Sequence, residues 1–245
     1  MAESLILNGN SSITKGTVIF EKGQPLQSTA LILKGRVIVQ GEGVRMTIGS
    51  GNFLGMCDVW KKEHSFTYVA LDDLVLFGLP MENEKQAALL LEQKPQYRGL
   101  LVTSLNFFYH DVFRVFGKLK TETEKVAEFV HQTYSRYQKL AEGAGLTAEK
   151  IAAMERLLNQ RMENYSLPEK ITYFIQCSKI PIEAQKNYYG ASAYVAQKQF
   201  EEQCAVLPQL VAGCRYYSDW LTRYFRIMIT DEKNLFSLVG RMRSA

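Results

Sequence analysis

The feature that most constrains this chain is a series of short β-type segments separated by glycines in its first third. Ten of the 17 glycines lie within residues 1–83, and glycine at short intervals is typical of tight turns. Six segments between these glycines are rich in β-branched and apolar residues. They are 17–20, 30–33, 36–39, 44–48, 66–70 and 74–77. Evenly spaced short strands without helical periodicity between them predict an antiparallel barrel or jelly roll.

From about Glu82 the spacing of apolar residues changes to that of helices. The sequence therefore predicts an α+β protein in three successive segments: a β-barrel over 1–83, a long connecting and dimerisation helix region over 84–142, and an α-helical domain over 143–245. The helices expected in the last segment are 147–165, 168–177, 191–230 with a kink at Pro208, and 231–243.

Composition excludes several classes of protein. The chain has 245 residues, of which 47% are hydrophobic, so it can bury a sizeable core. Its four cysteines form no CxxC pair and it has three histidines, which argues against a zinc site or a disulfide framework. No window approaches ~18 uninterrupted apolar residues, the length of a membrane span. Since the N-terminal residues also lack the pattern of a signal peptide, we expect a cytoplasmic protein.

One part of the strand region carries a recognisable pattern. Residues 14–25 read TKGTVIFEKGQP and residues 30–39 read ALILKGRVIV. This resembles the cyclic-nucleotide-binding domain family, which opens with a lysine-glycine pair, an I-F strand, an acidic-x-glycine turn and an I-L-K-G-x-V strand. The resemblance continues through 51–55, ends near Pro80 and implies a β jelly roll flanked by helices. An unrelated jelly roll such as a cupin is the alternative, but a metal-binding cupin needs clustered histidines, and His64 stands alone here.

The resemblance also implies where a ligand would sit. In this family a glycine-glutamate pair holds the ribose, and an arginine some ten residues later neutralises the cyclic phosphate, because a buried anion requires a donor of opposite charge. Gly55 keeps the glycine position. The glutamate position is Met56 and the arginine position is His64, so the chain departs from the pattern at both charged contacts.

The remaining cassette positions also differ in part. Ser65 agrees with the small hydroxyl residue of the family, whereas Phe66 replaces an alanine in the pocket wall, and the loop from Cys57 to Glu63 is about two residues short. Losing one charge-assisted contact costs about 1.5–3 kcal/mol. We therefore expect no cofactor and no cyclic nucleotide in the usual mode, with Met56 and Phe66 filling the pocket. The alternative is an anion held by a protonated His64 and Lys61. The candidate ligand-binding residues are Gly55, Met56, Cys57, Lys61, His64, Ser65 and Phe66.

The region after the barrel shows the spacing of a helix seam. Apolar residues alternate at four and three positions, which is typical of a coiled coil or a close helix pair. Pairing between two chains predicts a homodimer, and pairing within one chain is the alternative. Gly117 within the run and a capping-box pattern at Thr121 and Glu124 leave open a break near Lys120. The seam residues are Leu101, Leu105, Phe108, Val112, Val115 and Leu119.

The C-terminal half and the absence of catalytic motifs bear on whether the chain is a binding, regulatory or catalytic protein. The C-terminal half lacks the hairpin of a winged helix, and Trp220 and Tyr224 recur at a helical spacing that favours a core over base stacking, so nucleic acid is disfavoured. Catalytic and nucleotide-loop motifs are absent, and Cys57 near His64 lacks a third residue to orient a thiol-imidazole pair. We therefore predict a non-catalytic regulatory protein that contacts a protein partner through its C-terminal helices. The alternatives are a sensor of a cyclic nucleotide or other anion, and a transcription regulator with an atypical DNA-binding end.

Overall fold

The β region forms two antiparallel four-stranded sheets. The computed structural model describes residues 6–145, 155–157, 160, 162–230 and 234–244. Its strands are β1 (Gly9–Ile13), β2 (Val18–Phe20), β3 (Ser28–Lys34), β4 (Arg36–Gly41), β5 (Val44–Gly49), β6 (Phe53–Leu54), β7 (Thr67–Ala70) and β8 (Leu74–Pro80). One sheet has the order β1-β8-β3-β6 and the other β2-β7-β4-β5. The predicted α+β class with an N-terminal antiparallel β domain is confirmed.

Alternation along the strands explains which faces are buried. In β5, Val44, Met46 and Ile48 point inward while Arg45 and Thr47 are exposed. This two-residue period is what a strand buried on one face requires. β4 pairs with β5 from Arg36 opposite Gly49 to Gly41 opposite Val44, so the inward residues of both strands meet in one core.

Helices make up the rest of the described chain. They are α1 (Glu84–Gln93), α2 (Pro95–Gly143), α3 (Glu169–Ser178), α4 (Ile182–Ala191), α5 (Ala193–Phe225) and α6 (Leu235–Ser244), with a π-helical turn at Arg226–Thr230. Asn83 caps α1, since its side-chain oxygen accepts hydrogen bonds from the backbone N–H groups of Lys85 and Gln86 at 3.0 and 3.2 Å.

Several helix predictions are confirmed and others need correction. The helix predicted at 168–177 is α3, and the predicted 231–243 is matched by α6. Helix α2 does not break near Lys120, since it runs without interruption over Pro95–Gly143, and the Thr123 hydroxyl donates to the Leu119 carbonyl at 2.7 Å within it. The helix predicted from 191 begins two residues later, after Ser192 in an extended conformation. The helix predicted over 147–165 lies largely outside the described residues, and 162–166 are not helical.

The chain divides into two compact units. One comprises Met1–Phe116 with Leu167–Ala212, and the other Gly117–Ser166 with Gly213–Ala245. The first unit contains both sheets together with α1, α3, α4 and parts of α2 and α5. These units are defined by compactness, whereas the predicted segments 1–83, 84–142 and 143–245 follow the order of the chain. That division into successive segments stays a prediction.

In the first unit, buried polar side chains join α2 to α4 and α5. Asn106 donates to Gln185 at 2.9 Å and accepts from Gln203 at 2.7 Å. All three side chains are buried, where unpaired amides would cost about 1–3 kcal/mol each. This network fixes which faces of the three helices meet.

The second unit has an aromatic core of its own. Thr123 donates to the Tyr217 carbonyl at 3.1 Å, and Tyr165 donates its backbone N–H to the Tyr217 hydroxyl at 3.1 Å. The buried residues of this core are Val130, Tyr134, Tyr137, Leu157, Trp220, Tyr224, Ile227, Met228, Leu235 and Leu238.

Two glycines of α2 provide a test of how closely α4 packs on it. A Cβ atom on Gly99 would overlap the Lys186 carbonyl oxygen, whereas one on Gly117 would meet nothing within 4 Å. We expect Gly99→Ala to lower the free energy of unfolding by about 1–3 kcal/mol through overpacking. Gly117→Ala should leave it unchanged or raise it by up to about 1 kcal/mol through helix propensity. Urea unfolding followed by circular dichroism measures both, and equal effects of the two substitutions would contradict this packing.

Candidate functional site

The cassette begins at a turn that only glycine adopts easily. Gly55 has φ 75° and ψ −8°, in the left-handed region, and a 3₁₀ turn follows over Met56–Asp58. A Cβ atom at residue 55 would lie 2.8 Å from the Cε1 atom of His64. The chain reverses at this point and turns the side chains of Met56, Cys57 and Asp58 inward, where all three are buried.

His64 occupies the position where the resemblance places an arginine, and its ring is packed as an aromatic residue. Only 1% of the residue is exposed. Its ring stacks on Phe20, with centroids 4.4 Å apart and planes 12° apart, and meets Tyr68 edge-on at 6.3 Å. Its Nδ1 atom has no hydrogen-bond partner among the described residues. Burial lowers the pKa of His64 to about 4, so the imidazole is neutral near pH 7 and offers no charge to an anion.

Backbone hydrogen bonds hold His64 in this place. Its N–H donates to the Gln24 carbonyl at 2.9 Å, and its carbonyl accepts from the Gly23 N–H at 2.8 Å. The acidic-x-glycine turn that carries the family resemblance is therefore the same turn that positions the imidazole.

Asp58 is a buried acid that the sequence interpretation did not single out. Its Oδ2 atom accepts a hydrogen bond from the Ser65 N–H at 3.0 Å, and Lys61 Nζ donates to Ser65 Oγ at 2.9 Å. Burial raises the pKa of Asp58 to about 6, against the opposing hydrogen bonds from Ser65 and the charge of Lys61. No pattern in the sequence marked this residue, because its inward direction follows from the 3₁₀ turn over Met56–Asp58.

The thiol of Cys57 is not prepared for nucleophilic chemistry. Its Sγ atom lies 3.9 Å from the Tyr68 hydroxyl, and burial raises the pKa of both groups. A protonated, buried thiol is a poor nucleophile. Among the described residues, no group of three or more His, Cys, Asp and Glu side chains is placed to hold a metal ion.

Helix α5 packs against the cassette, a contact the sequence did not predict. The Trp60 ring lies 5.2 Å from that of Phe200. Cys204 Sγ donates to the Met56 carbonyl at 3.8 Å, within the limit for sulfur. These contacts place apolar and aromatic groups of α5 over the residues that would face a ligand.

A second contact reaches the pocket wall from α2. The Phe66 ring, where the family resemblance implies an alanine, meets the Phe108 ring at 5.7 Å with planes 69° apart. Both residues are buried, so the added phenyl ring is part of the apolar core between strand β7 and α2.

A cavity of about 180 Å³ remains between the cassette and α5. This volume is smaller than the roughly 300–1,000 Å³ of pockets that take drug-sized ligands. Two of its charged residues neutralise each other, since Lys22 Nζ lies 2.6 Å from Glu42 Oε1. The lining residues are Lys22, Gly23, Glu42, Cys57, Asp58, Lys61, Glu63, His64, Ser65, Phe66, Leu207, Pro208 and Val211.

The structure thus brings five of the seven candidate ligand residues, Cys57, Lys61, His64, Ser65 and Phe66, to one cavity. Gly55 and Met56 lie beside them in the turn that leads into it. Of these residues Lys61 alone carries a charge near pH 7, and its ammonium is hydrogen-bonded to Ser65.

The predicted seam on α2 is largely covered by its own chain. Leu101, Leu105, Phe108 and Val112 are buried within one chain, as the alternative of pairing within the chain requires. Val115 and Leu119 are half-buried. A dimer interface through the first four positions is therefore not open to a second copy.

Comparisons with known proteins give structural matches alone. No family model matches the chain, and no curated protein matches it. Three solved structures illustrate the matches. The cGMP-bound EAL enzyme Bd1971 is 23% identical over 29% of this chain and 20% of its own, with a TM-score of 0.27. A putative cyclic-nucleotide-binding protein from Geobacter metallireducens is 16% identical over 39% of this chain and 70% of its own, with a TM-score of 0.30.

The third match is the regulatory subunit of a cAMP-independent protein kinase A from Trypanosoma brucei. It is 21% identical over 31% of this chain and 30% of its own, with a TM-score of 0.29. The chain therefore spans less than a third of two of these three proteins. One of the three is an enzyme, one a putative cyclic-nucleotide-binding protein and one a kinase regulatory subunit. These matches agree with the fold that the sequence resemblance predicts, and they bear on no functional residue.

Because Asp58 and His64 titrate in opposite senses, substituting either one should change how stability depends on pH. The pKa of Asp58 is about 6 in the folded chain and 3.8 ordinarily, so its contribution falls as pH rises from about 4 to 6. The pKa of His64 is about 4 in the folded chain and 6.5 ordinarily, so its contribution rises over about pH 4 to 6.5. Each difference corresponds to about 3 kcal/mol, and in the wild type the two largely cancel.

We therefore expect the unfolding free energy of Asp58→Asn, relative to wild type, to increase by up to about 3 kcal/mol from pH 4 to 6. That of His64→Phe should decrease by a similar amount, and the double variant should show a nearly flat difference. Urea unfolding at a series of pH values measures how each difference in unfolding free energy changes with pH. A loss of packing that is the same at every pH does not alter that change. Flat profiles for both single variants would show that these groups are not buried as described.

Proposed function

We propose that this protein is a non-catalytic regulatory or interaction protein whose cyclic-nucleotide-binding-like cassette no longer takes cAMP or cGMP in the usual way. One observation carries the proposal: the position of the phosphate-binding arginine holds a neutral, stacked histidine, and helix α5 packs over the same segment. A cyclic phosphate buried there would lack the cation that a buried anion needs.

Packing within the cassette supports the same conclusion. Met56 and Phe66 are 0% and 1% exposed, and burying an apolar side chain of this size stabilises the fold by about 1.5–3 kcal/mol. To admit a nucleotide, these side chains and α5 would have to move, and that stabilisation would be lost. The site therefore contributes to the stability of the barrel without a ligand.

The sensor alternative rests on the remaining cavity. Lys61 and the Ser65 hydroxyl border it, and together they offer a small anion one charge and one hydroxyl donor. Two acidic residues that border the same cavity, Asp58 and Glu63, oppose the binding of an anion. In addition, Lys61 is already hydrogen-bonded to Ser65. If the protein is a sensor, the volume of the cavity fits a small ligand other than a cyclic nucleotide.

Two further assignments belong to the proposal. The DNA-binding alternative is disfavoured because Tyr217, Trp220 and Tyr224 are buried and unable to stack on bases. A homodimer stays a prediction, and it would have to use surfaces other than the four buried seam residues of α2. No helix within the described part of the chain is both long and apolar enough to cross a membrane.

Titration with cyclic nucleotides tests the proposal directly. We expect cAMP, cGMP and cyclic dinucleotides at millimolar concentration to leave the melting temperature of the full chain unchanged and to give no saturable heat in calorimetry, because the cation that would hold the phosphate is missing. Saturable binding of cAMP or cGMP would overturn the proposal. Lys61→Ala then identifies the site, since it weakens binding through the cassette and leaves binding elsewhere unaffected.

A further inference from the structure

The cavity between the cassette and α5 has a largely apolar wall. Phe66 and Leu207 line it and are buried, and Pro208 and Val211 line it and are half-buried. A protein cavity of about 150 Å³ with apolar walls can take benzene, and this cavity measures about 180 Å³. It therefore has room for an apolar group about the size of a phenyl ring with a small polar head.

A buried carboxylate borders the same cavity. Asp58 is 1% exposed, and its Oδ2 atom accepts from the Ser65 N–H at 3.0 Å. Within the described residues it forms no ion pair, and Lys61, three positions along the chain, donates to Ser65 Oγ instead. A buried carboxylate without a paired cation keeps much of its desolvation cost, which is why burial raises the pKa of Asp58 to about 6. A cation in the cavity would lower that cost.

The charges around the cavity favour a cation over an anion. Three acids and two lysines line it, namely Glu42, Asp58, Glu63, Lys22 and Lys61. Lys22 and Glu42 form an ion pair at 2.6 Å, and Lys61 and Glu63 are exposed and of opposite charge. The buried carboxylate therefore leaves the cavity with an excess of negative charge, the opposite of what a cyclic phosphate requires.

A buried polar group without charge lines the cavity as well. His64 is 1% exposed, and its Nδ1 atom has no hydrogen-bond partner among the described residues. Because burial lowers the pKa of His64 to about 4, its imidazole is neutral near pH 7 and does not repel a cation.

The wall of the cavity distinguishes an organic cation from a metal ion. Within the part of the chain that the structure describes, no three His, Cys, Asp or Glu side chains are placed to hold a metal. Apolar side chains offer a metal no ligand, whereas they pack well against the hydrocarbon part of an amine.

We propose that this cavity binds a small organic ammonium ion, with its charge beside the Asp58 carboxylate and its apolar group against Leu207 and Val211. Asp58 belongs to the cassette and the other two residues belong to α5, so a bound amine would hold the two segments together. The inference goes beyond the proposed function, which concerns cyclic nucleotides, and assigns the protein a class of ligand with the opposite charge.

Calorimetry and melting-temperature shifts of the full chain at pH 8 test the inference with matched sets of probes. Asp58 is ionised at this pH, because its pKa is about 6, and the amines remain protonated. The probes are benzylamine and isobutylamine, each compared with the alcohol and the carboxylate of the same carbon skeleton at equal ionic strength. We expect at least one amine to bind once per chain with a dissociation constant of about 1 mM or lower. The alcohols should bind at least about tenfold more weakly, and the carboxylates should not bind.

Two variants and a control locate the bound amine. Asp58→Asn keeps the size of the side chain and removes a buried charge, so it should fold at pH 8 and weaken amine binding about tenfold or more. Val211→Phe should remove binding by filling the cavity without changing its charge. Glu92→Gln, which removes an exposed acid of α1 outside the cavity, should leave the affinity unchanged.

Methyl NMR spectra provide an independent measure of position. On addition of the amine, the methyl resonances of Leu207 and Val211 should shift, while those of Val130, in the core of the second unit, should not.

Three results would overturn the inference: no saturable binding of either amine, an alcohol or carboxylate that binds as tightly as its amine, or an unchanged affinity in Asp58→Asn. Saturable binding of cAMP or cGMP would instead overturn the proposed function. Because the two experiments use different probes of opposite charge, the two failures are distinguishable.

Discussion

The stack of the His64 imidazole on the Phe20 ring is the contact on which the rest of the site depends. The turn at Gly23 and Gln24 fixes the His64 backbone, and Gly55 lacks the side chain that would overlap the imidazole. A ring that is buried in this way must stay neutral, because a charged imidazole in an apolar setting would need a counterion. His64, at the position where the sequence resemblance places an arginine, is therefore part of the core.

Helix α5 covers part of the same segment. A cassette open to solvent would expose the carbonyl of Met56 and the ring of Trp60, whereas here the first accepts from Cys204 and the second packs on Phe200.

The sequence predicted the β domain well because its signals are local. Glycine turns and alternating apolar residues place the six predicted strands within a few residues of their observed bounds. It missed β1 and β6, since Gly9–Ile13 is mostly polar and Phe53–Leu54 is too short to show a period. It also missed α4, whose buried face carries Gln185 in place of an apolar residue.

The candidate site shows a similar limit. The pattern identified Met56, His64 and Phe66 as departures from the family, and the structure places all three in the core. It did not reveal the inward direction of Asp58, which follows from an irregular local turn, or the cover by α5, which arises from tertiary contacts. Residues 58 and 65 are joined by a turn, and residues 56 and 204 are 148 positions apart. The spacing of apolar residues along the sequence does not reveal such contacts.

Amide hydrogen exchange gives the most direct measure of whether the cassette is closed by its own chain. In the apo protein, peptides covering 55–66 and 200–211 should exchange slowly and with similar opening free energies, because each segment covers the other. Exchange of 55–66 within seconds, while the strands of the barrel and helix α5 remain protected, would show an open cassette and contradict the account.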